Sequence, residues 1–190
     1  DTLQNLKDKY WVFTNISSLD FNLLPSIAAN LDYSVIEYDY KFCKFRSIEK
    51  CCYIEEKKCG CEEDIHGKII SAFFLGAKSL WWMSEKQEER YLERFPFLSE
   101  VESVVLSSVF DDVFFATVKE LKSKNLERKG WRILDSNSWI KGTEDAEKYC
   151  IDNNLEFEKI SGLSHAEVLH SLATAEGLIY LPRGGDTCPR

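Results

Sequence analysis

The sequence has few of the residues that mark fibrous, linker-like or membrane-spanning chains. Of its 190 residues, four are proline and nine are glycine, which excludes collagen-like repeats and flexible linkers. No stretch approaches the roughly 20 apolar residues that cross a bilayer. The most apolar segment, residues 69–83, is interrupted by serine, glycine and lysine, and the N-terminus is too polar for a signal peptide. These absences favour a globular domain, and we expect a cytoplasmic protein.

An excess of basic residues is also lacking. The chain has 24 Lys and Arg against 32 Asp and Glu, a net charge of −8. This balance argues against non-specific nucleic-acid binding through a positive surface, and we expect no nucleic-acid partner. A local basic pocket for phosphate is compatible with it. The chain is 44% hydrophobic and 13% aromatic, enough to bury a core.

Cysteine is the one residue type that is concentrated. Five of the seven cysteines lie within residues 43–61, whereas the disulfide framework of a small secreted protein is usually spread along its chain. We interpret this segment as an insertion and select Cys43, Cys59 and Cys61 as ligands of a structural zinc. A fourth ligand would come from Cys51, Cys52 or His66. A single Cys-x-Cys is a weak zinc pattern, so free thiols, or a disulfide in an oxidised sample, stay open as alternatives.

Short apolar runs alternate with amphipathic segments along the chain, which predicts βαβ units and parallel sheets. The predicted strands are residues 10–14, 34–38, 79–83, 103–106, 131–134, 155–160 and 177–181. The predicted helices are residues 21–31, 67–75, 85–95, 112–124, 143–153 and 164–173. Ser84 with Gln87 and Ser164 with Glu167 have the spacing of capping boxes. The cysteine region and the polar segment 55–64 are predicted to be loop.

The alternating pattern breaks near residues 108–112 and then resumes. We therefore expect two α/β lobes, residues 1–110 with the cysteine-rich insertion and residues 111–190. Ligands of parallel sheets bind at the carboxyl ends of the strands. The loops 135–142 and 183–190 are therefore the candidate ligand loops.

Five motifs follow one another from residue 65 onward. They are Ile-His-Gly-Lys at 65–68, Trp-Trp-Met-Ser-Glu-Lys-Gln-Glu at 81–88, the segment 104–114 with its paired aspartates, a strand and loop ending in Lys-Gly at 133–142, and a helix and strand at 169–182 followed by Gly-Gly-Asp-Thr-Cys-Pro. In this order they resemble glycosyltransferases of the GT-B fold, particularly the retaining enzymes of family 4.

The resemblance implies two Rossmann-like lobes with parallel sheets, an amino-terminal lobe on the acceptor side and a carboxyl-terminal lobe for a nucleotide-sugar donor. Members of the family are about twice as long. This chain lacks their early glycine-rich loop and the second acidic residue expected after Pro189. The resemblance therefore implies that both lobes are incomplete and that the chain is part of a larger transferase.

The implied reaction moves a sugar from a nucleotide-diphosphate donor to an acceptor hydroxyl. His66 and Asp186 would be the catalytic residues, and no cofactor would be required for catalysis. Basic side chains and backbone amides would balance the charge of the leaving diphosphate. The donor-binding residues would be Lys141, Gly142, Arg183, Gly184, Gly185 and Thr187. The acceptor would be a glycan, a lipid or a protein, and a lipid acceptor would make the protein membrane-peripheral.

Other interpretations of the same residues stay open. The chain could be a noncatalytic binding or scaffold module that keeps the fold, or a flavodoxin-like or response-regulator-like domain with one continuous sheet, for which Asp135 is weak support. His66 could instead cap or brace a loop, and Lys141 could be an ordinary surface residue. His165 and His170 are predicted to be surface residues.

Overall fold

The computed structural model describes residue 5, residues 7–106 and residues 110–184. Within these ranges the chain is an α/β protein with two parallel sheets, one of four strands and one of three. The described residues divide into two compact units, the first ending at Leu106 and the second beginning at Phe110. The predicted α/β class and the parallel strands are confirmed. The flavodoxin-like alternative expects a single sheet instead.

The sheet of the first unit has the strand order β1-β2-β3-β4. Its strands are β1 Tyr10–Phe13, β2 Asp32–Glu37, β3 Ser79–Trp82 and β4 Glu102–Val105. Its α-helices are α1 Leu24–Asn30, α2 Ile48–Glu55, α3 Ile65–Leu75 and α4 Glu85–Leu92, and its 3₁₀ helices are Phe21–Leu23 and Pro96–Glu100. Helix α2 lies in the region that the sequence predicted to be loop.

Aromatic residues fill the core of the first unit. Phe74 stacks on Tyr91 with ring centroids 5.4 Å apart, and Trp82 lies 4.9 Å from the same tyrosine ring. Tyr33 is fully buried, and its hydroxyl donates a hydrogen bond to the carbonyl of Phe73. Each large aromatic side chain removes about 150–250 Å² from water. This core fixes the positions at which the loops leave the sheet.

The sheet of the second unit has the order β6-β5-β7. Its strands are β5 Trp131–Leu134, β6 Phe157–Ile160 and β7 Gly177–Ile179. Its α-helices are α5 Asp112–Ser123, α6 Thr143–Asp152 and α7 His165–Ala173, with a 3₁₀ helix at Trp139–Lys141. The buried core of this unit is small and consists of Ile133, Ala146, Cys150 and Ile179.

The two predicted capping boxes turn out differently. Ser164 and Glu167 form both reciprocal hydrogen bonds, so that box is confirmed. At the start of α4, Ser84 accepts a hydrogen bond from the backbone of Gln87, but the Gln87 amide oxygen accepts from the Met83 backbone. The Gln87 amide nitrogen also donates to the carbonyl of Asp39. Gln87 is buried, so it links α4 to the loop after β2 instead of closing a box.

No helix within the described ranges combines the length and the apolar character needed to cross a bilayer.

Candidate metal centre and donor site

Four cysteines of the first unit converge on one point. The Sγ atoms of Cys43, Cys51, Cys59 and Cys61 all lie within 4.8 Å of one another. Each of these residues is at most 4% exposed. All four are free thiols. Four buried thiols at this spacing can bind a metal ion such as zinc.

Three local structures bring the four thiols together. Cys43 lies in the loop after β2, and its thiol contacts the carbonyl of Ser47 at 3.4 Å. Ser47 then caps α2 by accepting a hydrogen bond from the Lys50 backbone. One turn into this helix, Cys51 points into the cluster. Cys59 and Cys61 lie in the loop between α2 and α3.

Two of the sulfur separations match tetrahedral metal coordination. Cys51 and Cys61 have Sγ atoms 3.8 Å apart, and Cys43 and Cys59 have Sγ atoms 3.9 Å apart. Zinc–sulfur bonds of about 2.3 Å in a regular tetrahedron place neighbouring sulfurs about 3.8 Å apart. The other pairs lie within 4.8 Å, so the four thiols are close enough to bind one ion.

Burial controls the protonation of these thiols. It raises the pKa of Cys43 to about 12 and also raises the pKa of Cys59. At Cys61 burial acts in the same direction, but hydrogen bonds from the Lys44 backbone and the neighbouring thiols outweigh it and lower the pKa. A bound cation stabilises thiolates, so metal binding would release protons from the buried thiols.

The three cysteines selected from the sequence lie together in this cluster, and the structure adds Cys51 as the fourth. Sequence alone could not choose among Cys51, Cys52 and His66. Helix α2 decides between the two adjacent cysteines because it turns Cys51 inward and leaves Cys52 half-buried outside the cluster. The sequence signals of that helix were the apolar residues Ile48 and Cys51, three apart, and the N-cap serine Ser47.

His66, predicted to be catalytic, lies at the start of α3 but outside the thiol cluster. Its Nε2 is 2.9 Å from the carbonyl oxygen of Lys41. A carbonyl only accepts, so Nε2 carries the proton and, in the neutral ring, Nδ1 holds the lone pair. One face of the ring stacks on Phe21 at 4.8 Å. A cavity of about 480 Å³ at the carboxyl ends of β1 and β2 is lined by His66, Cys43, Lys44, Arg46 and several apolar side chains.

A buried ion pair lies beside this cavity. Glu37, the last residue of β2, accepts a hydrogen bond from Lys41 Nζ at 3.2 Å, and both side chains are at most 2% exposed. Burial raises the pKa of Glu37 to about 8, although the neighbouring ammonium lowers it. The Asp39 backbone donates a hydrogen bond to the same carboxylate. Sequence reasoning did not select this pair.

The two loops predicted to bind a donor meet in the second unit. They follow β5 and β7, which are neighbours in the sheet. The backbone N–H of Arg183 donates to the carbonyl of Ile140 at 3.0 Å. Gly142, with φ +63°, packs so tightly that a Cβ atom there would overlap the carbonyl oxygen of Leu181. The glycine is therefore needed both for its backbone conformation and for the close approach of the two loops.

Arg183 joins these loops through its side chain. Its Nη2 lies 3.0 Å from Glu144 and 3.0 Å from Asp145, both in the first turn of α6. These hydrogen bonds raise the pKa of Arg183, and the guanidinium lowers the pKa of Asp145. Two carboxylates thus neutralise the cation that the sequence assigned to a phosphate.

The other predicted donor residues fall into two groups. Lys141 ends the 3₁₀ helix and is half-buried, and Gly142 begins α6 without a side-chain cap among the described residues. Gly184 is half-buried at the end of the described range. Gly185, Asp186 and Thr187 lie outside the described residues, so their predicted roles stay predictions.

Comparison with known proteins identifies no relative: no protein-family model matches the chain, and no curated protein matches it.

Proposed function

We propose that this protein transfers a sugar from a nucleotide-diphosphate sugar to an acceptor hydroxyl. The order of its motifs supports the proposal, and one structural observation carries it. The loop ending in Lys141-Gly142 and the loop containing Arg183 are in backbone contact at the carboxyl edge of the second sheet. Parallel sheets bind nucleotides at this edge.

The residues at this edge offer charge compensation to a diphosphate. Helix α6 has ten residues, and the backbone amides at its N-terminus carry a partial positive charge that favours an anion. Lys141 adds a point charge beside it. In this proposal Arg183 can bind phosphate only if its hydrogen bond to Glu144 or Asp145 breaks. Its main role is therefore to hold the loop after β5 and the loop after β7 together. In the first unit, His66 lines a separate cavity, where its Nδ1 would accept a hydrogen bond from a ligand.

Ligand-induced stabilisation tests the donor site. A nucleotide-diphosphate sugar at 100 times its dissociation constant would stabilise the folded protein by about 2.7 kcal/mol. We expect uridine and guanosine diphosphate sugars, screened calorimetrically and by thermal shift, to include at least one that raises the melting temperature. Lys141→Ala should abolish the effect. Lys148→Ala, an exposed lysine on α6, is the matched control and should retain it.

The same experiment, combined with an activity assay, distinguishes a transferase from a noncatalytic binding module. Binding without donor hydrolysis or sugar transfer would favour the noncatalytic module. The absence of any stabilising nucleotide sugar would refute the transferase proposal.

We also propose that the metal of the four-cysteine cluster is zinc with a structural role. The 3.8 and 3.9 Å sulfur separations carry this proposal, together with complete burial, which leaves no open coordination position for a substrate. Purified under reducing conditions, the protein should contain one zinc per chain. Cys59→Ser should lose it. Cys150→Ser, a buried cysteine of the second unit, should keep it.

Metal-free protein from a zinc-supplemented preparation, or equal zinc retention by the two variants, would contradict the zinc proposal. Thiol counting by mass spectrometry on the unfolded protein then distinguishes the alternatives, because the chain has seven cysteines. Seven reactive thiols indicate a free cluster, whereas five reactive thiols with a mass deficit of two hydrogen atoms indicate a disulfide.

A further inference from the structure

The imidazole of His66 is held by the same chain segments that carry the cysteines. Its Nε2–H donates to the carbonyl of Lys41, two residues before Cys43. On the other side, the backbone of Cys61 touches the helix at the residue after His66. A Cβ atom on Gly67 would overlap the Cys61 carbonyl oxygen and lie 2.9 Å from its carbonyl carbon. The His66-Gly67 step is therefore clamped between two cysteine-bearing segments.

The core and a surface ion pair also support these segments: Phe42 packs against Phe95, and Lys44 pairs with Glu55 at 2.8 Å. Among the described residues, no strand lies between Tyr38 and Asp64, and the segments leave the sheet after β2. The backbone–backbone hydrogen bonds of the loops span three to six residues, as in Cys43 N–H to Tyr40 and Asp64 N–H to Cys61. Such local bonds shape each turn. The thiol cluster, together with the hydrogen bond from the Lys44 backbone to Cys61, joins one segment to the other.

The cavity beside His66 shares the same wall. Cys43 and Phe21 line it together with the imidazole, and the Phe21 ring stacks on the imidazole. A shift of the Cys43 loop would move the Lys41 carbonyl and remove the hydrogen bond that fixes the tautomer of His66. A bound metal would restrain that loop because it links Cys43 to Cys59 and Cys61.

We infer that the metal of the four-cysteine cluster positions His66: it fixes the Lys41 carbonyl on one side of the imidazole and the Cys61 backbone on the other. This inference rests on the proposed zinc site. The zinc ion would set the tautomer and the orientation of the histidine that lines the cavity. In this inference the metal does not contact a ligand in the cavity. It affects the orientation of His66 through the backbone of Lys41 and Cys61. His66 orientation is therefore metal-dependent, whatever ligand the cavity takes.

Nitrogen-labelled histidine provides a direct readout. The chain has three histidines, and His165 and His170 lie in the second unit, where they serve as internal controls. In the zinc-loaded protein at pH 7.5, the imidazole ¹H–¹⁵N spectrum should show a slowly exchanging Nε2–H for His66 and a nuclear Overhauser contact to the Phe21 ring. Removing zinc with a chelator under reducing conditions should abolish both signals, and adding zinc back should restore them. The signals of the other two histidines should not change.

A glycine pair tests the Cys61 side of the clamp. Gly67→Ala should lower zinc affinity by about 10- to 100-fold, as disturbing the support of a metal ligand does elsewhere. Gly60→Ala is the control, because Gly60 lies between Cys59 and Cys61 and no atom lies within 4 Å of an added Cβ. It should leave zinc affinity and the His66 signals unchanged. If Gly67→Ala fails to fold, the chelation experiment on the unaltered protein still decides.

The possible outcomes distinguish failure of this inference from failure of the zinc proposal or of the transferase proposal. A protein that binds no zinc removes the zinc proposal and this inference together. A protein that binds zinc but shows the same His66 tautomer and Phe21 contact after zinc removal overturns the inference alone. Nucleotide-sugar stabilisation is measured independently, so its failure would refute the transferase proposal without affecting this result.

Discussion

Replacing Gly142 with alanine probes the contact on which the transferase proposal depends. Two costs add in the folded state. The left-handed conformation, φ +63° and ψ +32°, costs an alanine about 1 kcal/mol. The new Cβ atom would also overlap the carbonyl oxygen of Leu181 and lie 2.8 Å from its carbonyl carbon, so the loop after β7 must move. That movement endangers the Arg183 to Ile140 hydrogen bond, and we expect about 2 kcal/mol more.

Gly162→Ala is the matched control for this prediction. Its φ is +65°, almost the same as that of Gly142, but no atom lies within 4 Å of its Cβ position. Only the conformational cost of about 1 kcal/mol should remain. Urea unfolding, followed by hydrogen exchange of β5, reports on the second unit. Equal destabilisation by the two substitutions would show that the loops are not in contact and would refute the reasoning.

Further predictions concern charge and capping. Arg183→Gln should return the pKa of Asp145 upward toward its ordinary value, as followed by carboxyl NMR titration, because the guanidinium that lowers it is gone. Wild-type stability from this pair is present above the unfolded pKa of Asp145 and is lost as the pH falls through the lower folded value. Glu37 has the opposite sign: its folded pKa is about 8, so its contribution is full below the unfolded value and is lost as the pH rises through 8. Glu37→Gln should therefore flatten the fall in melting temperature between pH 5 and pH 9. Ser164→Ala should cost about 1 kcal/mol in urea unfolding by removing the cap of α7, and an unchanged midpoint would contradict this.

Local sequence patterns predicted most of the secondary structure. Strand β5 and helix α7 have almost the predicted bounds, because an apolar run and a Ser-x-x-Glu cap depend on neighbouring residues. Helix α2 was missed because its two adjacent cysteines and charged residues weaken the amphipathic pattern. The same omission explains why Cys51 was not selected as a ligand.

The candidate site residues differ in the same way: sequence reasoning identified groups that are close along the chain and missed contacts between distant residues. Residue type and spacing were enough to select Cys43, Cys59 and Cys61, because thiols that are close in a short segment can reach one ion. They were not enough to show that Arg183 would meet Asp145, since those residues are 38 positions apart and only the pairing of β5 with β7 brings them together. His66 is a similar case, because its partners Lys41 and Phe21 come from segments that are distant in the sequence.

The sequence by itself determined the α/β class, the parallel strands and a thiol-rich segment able to bind metal, because periodicity, caps and cysteine spacing act over a few residues. Only the tertiary structure decided that a fourth thiol completes the cluster, that His66 is clamped beside it and that Arg183 is neutralised by two carboxylates. Each of these depends on which loops the sheets bring together. That choice is set by the burial of whole strands and helices, which no short stretch of residues encodes.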